Sequence, residues 1–245
     1  MKQIYENYTA EDFEVWKILF DRQQENLPKA ASTAYLEGLE KIKFGNDVIP
    51  NFEKTNELLY SITGWKLVVV PGIVPDYTFF ELMSNRHFPA TTWLRKKKEL
   101  DYLEEPDMFH DVFAHVPLLT NQHFVDFLEE LSNIGLEYHD NPYAIDILSR
   151  VYWYTVEFGL IKEEAGTRIY GAGILSSAGE TKFCLSDEPP HYDFDVEAIA
   201  NTGYTKSVFQ DRYFVIKSYE QLYQSIPEVK RVLKEKVAEQ SAVPA

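Results

Sequence analysis

Apolar residues near the start of the chain follow the intervals of an amphipathic helix. Four of them recur at helical spacing, namely Phe13, Trp16, Leu19 and Phe20. Thr9 and Asp12, just ahead of them, match a capping box, in which each side chain accepts the backbone N–H of the other residue. We therefore predict a helix that begins after Thr9. A later helix should end before Gly64, a residue suited to a left-handed cap.

Further along, the pattern predicts mostly helices and few strands. We expect helices over 77–85, 122–138 and 143–161, strands over 66–70 and 213–216, and short strands and turns over 167–185. A charged amphipathic helix should follow, with Pro227 in its first turn and its end near Ala238. Strands do not alternate with helices as in βαβ units, which excludes a doubly wound nucleotide-binding fold. The predicted fold class is mainly α (α+β), with a small β-sheet or hairpin region.

Length and composition indicate one globular unit. The chain has 245 residues, of which 45% are hydrophobic and 26% are charged, so it can bury a substantial core. No stretch has the composition of a linker. We expect a single domain over residues 1–245, with flexible termini at about 1–8 and 239–245. Two small domains are the alternative.

Charge and cysteine content limit the partners and the compartment. The formal net charge of -15 disfavours nucleic acid as a partner, because phosphate binding depends on Lys and Arg. One basic run, residues 95–98, is of the kind that usually forms a solvated face. A single cysteine, Cys184, cannot form an internal disulfide, and no apolar stretch approaches the ~20 residues of a membrane span. The amino terminus also lacks the apolar core of a secretory signal. We expect a cytoplasmic protein with no membrane partner.

Two histidines lie close together in the segment EPDMFHDVFAHVP. His110 and His115 are five positions apart, which in an unbroken α-helix turns them about 140° away from each other. Zinc proteases instead use histidines four positions apart, and nothing near His110 supplies the base of their HExxH motif. Pro106 suits a first helical turn, and Pro117 cannot continue a helix. We therefore expect a short helix that ends at about His115, so that the two imidazoles converge.

A third ligand is expected from the apolar helix VYWYTVEFGL, in which Glu157 is the single carboxylate. Burying it unpaired would cost several kcal/mol, so Glu157 needs a cation or a proton. Two imidazoles and one carboxylate form the facial triad of non-haem Fe(II) oxygenases. On spacing alone the alternatives stay open. Each histidine can be an ordinary hydrogen-bonded residue, and Glu157 can pair with Arg150.

Longer stretches of the sequence resemble a known family. The segments EEPDMFHDVFAHVPLL, VYWYTVEFGL and RIYGAGILSSAGE look like the catalytic domain of the pterin-dependent aromatic amino acid hydroxylases, in the same order and at similar separations. TGWKLVVVPGIVPDYTFF, FPATTWLR and YTAEDFEVWKILFDRQ resemble the bacterial phenylalanine 4-hydroxylase branch. The resemblance covers nearly the whole chain. It implies a single helical catalytic domain that uses Fe(II), a tetrahydropterin such as tetrahydrobiopterin, and O2 to convert L-phenylalanine to L-tyrosine.

The resemblance also assigns metal and substrate roles. It implies three iron ligands that are also the catalytic residues, His110, His115 and Glu157. Arg95 would bind the substrate carboxylate, which suits the planar fork of a guanidinium, and Ser176 would assist it. The remaining substrate contacts that it implies are Pro106, Trp153, Phe158 and Gly173. For Trp153 the alternative is plain core packing.

For the pterin, the resemblance implies a stacking partner in Phe79 and backbone contacts from Gly72 to Val74. Asp111 is expected to bind the cofactor as well. Asp107, one turn before His110, is expected to orient an imidazole from behind. Ordinary capping of the first helical turn is the alternative for both aspartates.

Three positions depart from the family pattern. Ala114 stands where the family has Gly, and a positive φ there would cost roughly 1 kcal/mol. Leu103 replaces a polar residue near the expected substrate carboxylate, and Lys206 lies in a loop where relatives carry other side chains. Tyrosine or tryptophan hydroxylation therefore stays an alternative, as does a non-catalytic protein that binds an amino acid or a metal. We expect a monomer, because the regulatory domain and tetramerising helix of animal relatives have no counterpart in the sequence.

Overall fold

The computed structural model describes residues 1–101, 103, 105–206 and 208–242. Its amino-terminal quarter is helical, with α1 (Ala10–Ala30), α2 (Thr33–Ile42) and α3 (Phe52–Thr63). Thr9 and Asp12 form the predicted capping box, and Gly64 ends α3 in the left-handed conformation with a φ of 79°. The helix ends predicted from both patterns are therefore confirmed.

A parallel strand pair follows. β1 (Lys66–Val69) confirms the first predicted strand, and α4 (Asp76–Ser84) confirms the helix after it. β2 (His87–Ala90) then runs parallel to β1. The sequence does not predict β2, because four residues that include Pro89 show no regular alternation of apolar and polar side chains. The residues that follow β1 and β2, such as Gly72 and Arg95, line the cavity described below.

Two long helices form the centre of the chain, α5 (Gln122–Glu137) and α6 (Pro142–Tyr152). The prediction of a helix over 143–161 is wrong at its end. Residues Trp153–Glu157 wind as a π-helix, and β3 (Leu160–Glu163) then forms a hairpin with β4 (Gly166–Ile169). Leu160 and Ile161 are buried, as they would also be in a helix, so apolar periodicity alone does not distinguish the two structures.

The larger sheet joins strands that are far apart in the sequence. Its order is β4-β3-β6-β5, with β5 (His191–Asp193) and β6 (Tyr213–Ile216). β6 confirms the predicted strand over 213–216, and it pairs in parallel with β3. Helices predominate, and the strands form only two sheets, of two and four strands, the larger of which contains the hairpin. This composition confirms the predicted fold class.

The glycine-rich segment between β4 and β5 is mainly helical. It forms α7 (Ala172–Leu175) and α8 (Ala178–Phe183). The prediction of short strands and turns over 167–185 is therefore confirmed for β4 and for the turns at residues 176 and 184–185, and it is wrong for the two helices. The glycines permit close packing rather than turns. A Cβ on Gly173 would lie 2.6 Å from the ring of Phe158.

Three helices complete the described chain, α9 (Val196–Ala200), α10 (Tyr219–Gln224) and α11 (Ile226–Ala242). α11 confirms the final amphipathic helix and continues past the predicted end at Ala238. Residues 243–245 of the predicted flexible tail lie outside the described residues. Among the helices in the described ranges, none has the length and apolar character needed to cross a membrane.

An aromatic cluster lies beneath the segment that carries the two histidines. The rings of Phe109 and Phe113 stack with centroids 4.5 Å apart, and Trp16 of α1 meets both rings edge to face. Tyr35 of α2 is fully buried, and its hydroxyl donates to the carbonyl of Phe113 at 2.9 Å. Helices α1 and α2 therefore pack against the buried side of the segment that carries the two histidines.

Candidate metal centre and active site

His110 and His115 face each other across one turn of a π-helix, Phe109–Ala114, with His115 just past its end. Their Nε2 atoms are 3.2 Å apart. A π-helix bonds residue i to residue i+5, so residues five positions apart lie near the same face. The predicted helix end at about His115 is confirmed, but the helix is a π-helix, and its wider turn rather than its end brings the imidazoles together. Pro106 precedes this helix instead of lying in its first turn.

Glu157 completes a group of three ligand atoms at the end of the second π-helix. Its carboxylate oxygens lie 3.5 Å from Nε2 of His110 and 3.3 Å from Nε2 of His115. One ligand atom from each residue lies within 4.8 Å of the other two. Arg150 binds Asp146 and the carbonyl of Ala200, so it is not the partner of Glu157.

The electrostatics of the three side chains suit a divalent cation. Burial lowers the pKa of His110 despite the nearby carboxylate, which favours the neutral imidazole that a metal requires. Burial alone would raise the pKa of Glu157, but the charges of His115 and His110 and a hydrogen bond from the Gly173 backbone lower it overall. Two histidines and one carboxylate form a donor set that fits Fe(II).

Neighbouring residues fix the orientation of the imidazoles. Ser176 Oγ lies 2.9 Å from Nδ1 of His110 and also donates to the carbonyl of Ala172. Because Oγ gives its proton to Ala172, it can accept the Nδ1–H of His110 and leave Nε2 free for a metal. The ring of Phe88 in β2 lies 4.9 Å from that of His115. Ser176, predicted as an assistant to Arg95, therefore contacts His110, one of the predicted metal ligands.

The residues after β2 are held against the histidine segment by paired side chains. Arg95 and Asp107 are buried and form a two-pronged ion pair, with Nε and Nη2 each 2.9 Å from a carboxylate oxygen. Asp107 also accepts the backbone N–H of His110 at 3.1 Å, so it contacts the backbone of that residue and not its ring. Asp111 accepts both the backbone N–H and the hydroxyl of Thr91 at 2.8 Å. Burial raises the pKa of Asp111 in spite of these bonds.

One cavity of about 1080 Å³ unites the predicted residues. All of them but one line it, namely Gly72, Val74, Phe79, Arg95, Pro106, His110, Asp111, His115, Trp153, Glu157, Phe158, Gly173 and Ser176. Asp107, with no exposed surface, lies behind Arg95. Residues implied for metal, substrate and pterin thus face a shared space large enough for two small molecules.

Aromatic side chains form one wall of this cavity. Trp153 packs against Phe158, with ring centroids 4.6 Å apart, and against Tyr204, which stacks on it with centroids 4.3 Å apart. Phe79 meets Tyr152 edge to face. Thr91, Tyr152 and Tyr204 are not predictable from the sequence pattern, because each acts through contacts with residues that are distant in the chain.

The three departures occupy distinct places. Ala114 is fully buried, and among the described residues only Lys43 and Arg86 combine a side chain with a positive φ. The expected strain at Ala114 is therefore absent, because a π-helix places this residue in the ordinary right-handed region. Leu103 and Lys206 both line the cavity.

Comparison with known proteins agrees with this site. Residues 2–240 match the family model described as biopterin-dependent aromatic amino acid hydroxylase. A phenylalanine-4-hydroxylase of Chromobacterium violaceum is 49% identical over 224 residues, which span 91% of this chain and 75% of that protein. One from Ralstonia nicotianae is 48% identical over 224 residues, which span 91% of this chain and 71% of that protein.

Solved structures give the same result. The C. violaceum phenylalanine hydroxylase with bound oxidized Fe(III) matches with a TM-score of 0.93 at 47% identity, covering 100% of this chain and 88% of that one. The same enzyme with iron(III) and oxidized 7,8-dihydrobiopterin matches with a TM-score of 0.92 at 47% identity, covering 100% and 87%. The triad of His110, His115 and Glu157, the cavity around it and these similarities lead to one conclusion: the chain belongs to the family of biopterin-dependent aromatic amino acid hydroxylases.

Proposed function

We propose that this chain is a monooxygenase that converts L-phenylalanine to L-tyrosine with O2, Fe(II) and a tetrahydropterin. The observation that carries the proposal is the convergence of His110, His115 and Glu157 in the wall of a cavity that also contains Arg95 and an aromatic wall. The relatives named phenylalanine-4-hydroxylase, at 49% and 48% identity, favour phenylalanine over the other aromatic amino acids.

The metal would be held by the Nε2 atoms of His110 and His115 and by the carboxylate of Glu157. Bound Fe(II) and the reduced pterin supply the electrons that triplet O2 needs before it can react with a closed-shell aromatic ring. The chain contributes position and environment. Ser176 holds the tautomer of His110, and aromatic side chains of the cavity wall, such as Trp153 and Phe158, limit the access of bulk water to the reacting atoms.

Arg95 would bind the carboxylate of the substrate. Asp107 engages Nε and one N–H of Nη2, which fixes the plane of the guanidinium and leaves its other N–H groups as donors. Trp153 and Phe158, on the adjacent wall, would hold the aromatic ring of the substrate by stacking and apolar contact. Holding both ends of the amino acid places one edge of its ring toward the metal ligands.

The pterin would occupy the side of the cavity formed by the residues after β1. The ring of Phe79 offers a face or edge for stacking, and a Cβ on Gly72 would meet nothing within 4 Å, so the backbone there is open to a ligand. Asp111, held by Thr91, presents a carboxyl group to the same space. These contacts need no phosphate-binding loop, because the cofactor carries no phosphate.

A comparison of substrates tests the assignment. Iron-loaded protein should turn over phenylalanine with a higher kcat/KM than tyrosine or tryptophan. Faster turnover of either competitor would replace the proposed substrate, and Lys206 in the cavity wall would be the first residue to examine. Tight phenylalanine binding with no pterin oxidation would instead support a non-catalytic relative.

We further propose that residues 1–245 form one catalytic domain that acts as a cytoplasmic monomer. The formal net charge of -15 supports a monomer, since like-charged copies repel each other. Sedimentation velocity at physiological salt should give a single species of the mass of one chain. A larger species whose proportion rises with concentration would contradict the monomer.

A further inference from the structure

Gln210 is a buried glutamine whose side-chain amide and backbone N–H are all hydrogen-bonded. Its Oε1 accepts the indole N–H of Trp153 at 2.9 Å, and its Nε2 donates to the carbonyls of Thr205 and Val208. Its backbone N–H donates to Glu180 Oε1 at 3.0 Å. The indole N–H can only donate, so the amide orientation is fixed by chemistry, with its oxygen toward Trp153. Only 4% of Gln210 is exposed.

These bonds attach one loop to the π-helix that bears Glu157. We call this the Tyr204 loop, residues 203–206 and 208–209. At its start the carbonyl of Gly203 accepts the hydroxyl of Tyr154 at 2.6 Å, and at its end Gln210 accepts the N–H of Trp153. Two consecutive residues of the π-helix therefore hold the two ends of the loop.

The same bonds determine where the aromatic wall stands. Trp153 can rotate about its side-chain bonds unless neighbouring groups hold it. Phe158 and Tyr204 pack against the indole, Tyr204 with an interplanar angle of 16°, and Gln210 accepts its N–H. A polar anchor has a defined length and direction, whereas apolar packing alone tolerates small rotations. The width of the space beside Trp153 thus depends on the amide of Gln210.

We propose that Gln210 is a positioning residue for the substrate: by holding Trp153 and the Tyr204 loop together, it sets the width of the pocket that receives the aromatic ring. This proposal rests on the proposed function, because it assumes that an amino acid ring binds beside Trp153. Gln210 itself lies behind the indole and acts through it.

The variant Gln210→Met tests the proposal, because methionine has a similar length and volume but neither accepts from the indole nor donates to the loop carbonyls in the same way. Gln210→Asn is the second variant. It keeps an amide that is one methylene too short, and it serves if the methionine variant folds poorly. The matched control is Gln221→Met. The side chain of Gln221 also forms a hydrogen bond with the backbone, because it accepts the N–H of Lys217, but it lies at the start of α10.

Phenylalanine binding to the Fe(II)-loaded protein is measured by anaerobic calorimetry, and coupling as tyrosine formed per pterin oxidised. Both Gln210 variants should raise the Kd for phenylalanine about tenfold, the effect of one lost buried hydrogen bond, and should lower coupling. The control should lose stability without changing either quantity. In a Trp153→Phe background, which removes the indole donor, Gln210→Met should change the Kd by less than about twofold.

Two results would overturn the proposal. One is that the Gln210 variants fold with reduced stability but keep the Kd and the coupling of the wild-type protein. The other is a full tenfold effect in the Trp153→Phe background, because Gln210 would then act by another route. Failure of the proposed function is distinguishable, because wild-type protein would then form no tyrosine while the calorimetric comparison could still be made.

Discussion

The Nε2 atoms of His110 and His115 lie 3.2 Å apart although the two residues are five positions apart in the chain. An α-helix would hold them on different sides, and the π-helix over Phe109–Ala114 brings them together. A π-helix is rarely stable on its own, so the surrounding structure must support it. The support comes from the aromatic cluster below and from α2, where Tyr35 bonds the carbonyl of Phe113 and Gly38 approaches Pro117.

Removing the hydroxyl of Tyr35 should destabilise this support. Tyr35→Phe leaves the Phe113 carbonyl buried without that donor, and we expect the free energy of unfolding to fall by about 1–3 kcal/mol. Tyr170→Phe is the matched control, because Tyr170 is equally buried and its hydroxyl has no hydrogen-bond partner among the described residues. Urea titrations should show no loss for the control. Equal losses in both variants would mean that the bond to Phe113 contributes nothing specific.

Gly38 permits the contact between α2 and the segment after His115. A Cβ at this position would lie 2.0 Å from the carbonyl oxygen of Pro117, and neither backbone can move cheaply. We expect Gly38→Ala to destabilise the fold by about 1–3 kcal/mol or more, although alanine is the better helix former. Gly203→Ala, where a Cβ meets nothing within 4 Å, should leave the thermal midpoint unchanged or slightly higher. A neutral Gly38→Ala would contradict the proposed close contact.

The Arg95–Asp107 pair should behave as a buried ion pair. Asp107→Ala leaves a guanidinium buried without its counter-ion, and we expect a loss of about 3–5 kcal/mol in unfolding free energy together with weaker phenylalanine binding. The exposed pair of Arg212 and Asp211 has the same chemistry in water, so Asp211→Ala should cost only about 0–1 kcal/mol. Chemical denaturation of both variants measures the difference. Similar losses would show that burial does not determine the strength of the pair.

Glu180 should make stability depend on pH. Burial raises its pKa above the ordinary value of 4.5, although Gln210 and Tyr213 donate hydrogen bonds to it. The folded protein therefore keeps this proton at pH values where the unfolded chain has lost it. Its contribution to stability is complete below the unfolded pKa and is lost as the pH rises through the folded pKa.

Glu180→Gln keeps an acceptor oxygen for both donors but does not titrate. The stability of the variant relative to wild type should therefore increase as the pH rises from about 4.5 and level off above the folded pKa. Urea unfolding of both proteins at several pH values gives this difference, with all other titrating groups in common. A difference that stays constant or decreases with pH would contradict the raised pKa.

Local sequence patterns predict those elements of the fold that are stabilised by interactions between residues close together in the chain. The apolar periodicity of α5 and the capping box at Thr9 identify those helices, because the relevant contacts lie within a few residues. β3 escapes the same analysis because its buried residues Leu160 and Ile161 continue the apolar run of the preceding helix, and apolar periodicity alone does not distinguish a strand from a helix there. In α7 and α8, glycines typical of turns serve instead to let other side chains approach.

In the candidate site, too, some features could be predicted from the sequence and others depend on distant contacts. The residue types at His110, His115 and Glu157 are compatible with a metal site. Their spacing also allowed ordinary hydrogen bonding or ion pairing, and only the resemblance to a known family favoured the metal site over these alternatives. The π-helix is not predictable from spacing, because the forces that hold it come from α1 and α2. The partners of Arg95 and Trp153 are likewise distant in the sequence, at Asp107 and Gln210.

The central claim is that His110, His115 and Glu157 bind the iron used to hydroxylate phenylalanine. Protein reconstituted anaerobically with Fe(II) is mixed with phenylalanine, a tetrahydropterin and O2, and tyrosine formed is compared with pterin oxidised, beside Glu157→Ala treated in the same way. If these three residues hold the iron, the wild-type protein should form tyrosine in proportion to pterin oxidised, and the variant should lose both bound iron and tyrosine formation. Tyrosine formation by iron-free protein, or an unchanged yield in Glu157→Ala, would contradict it.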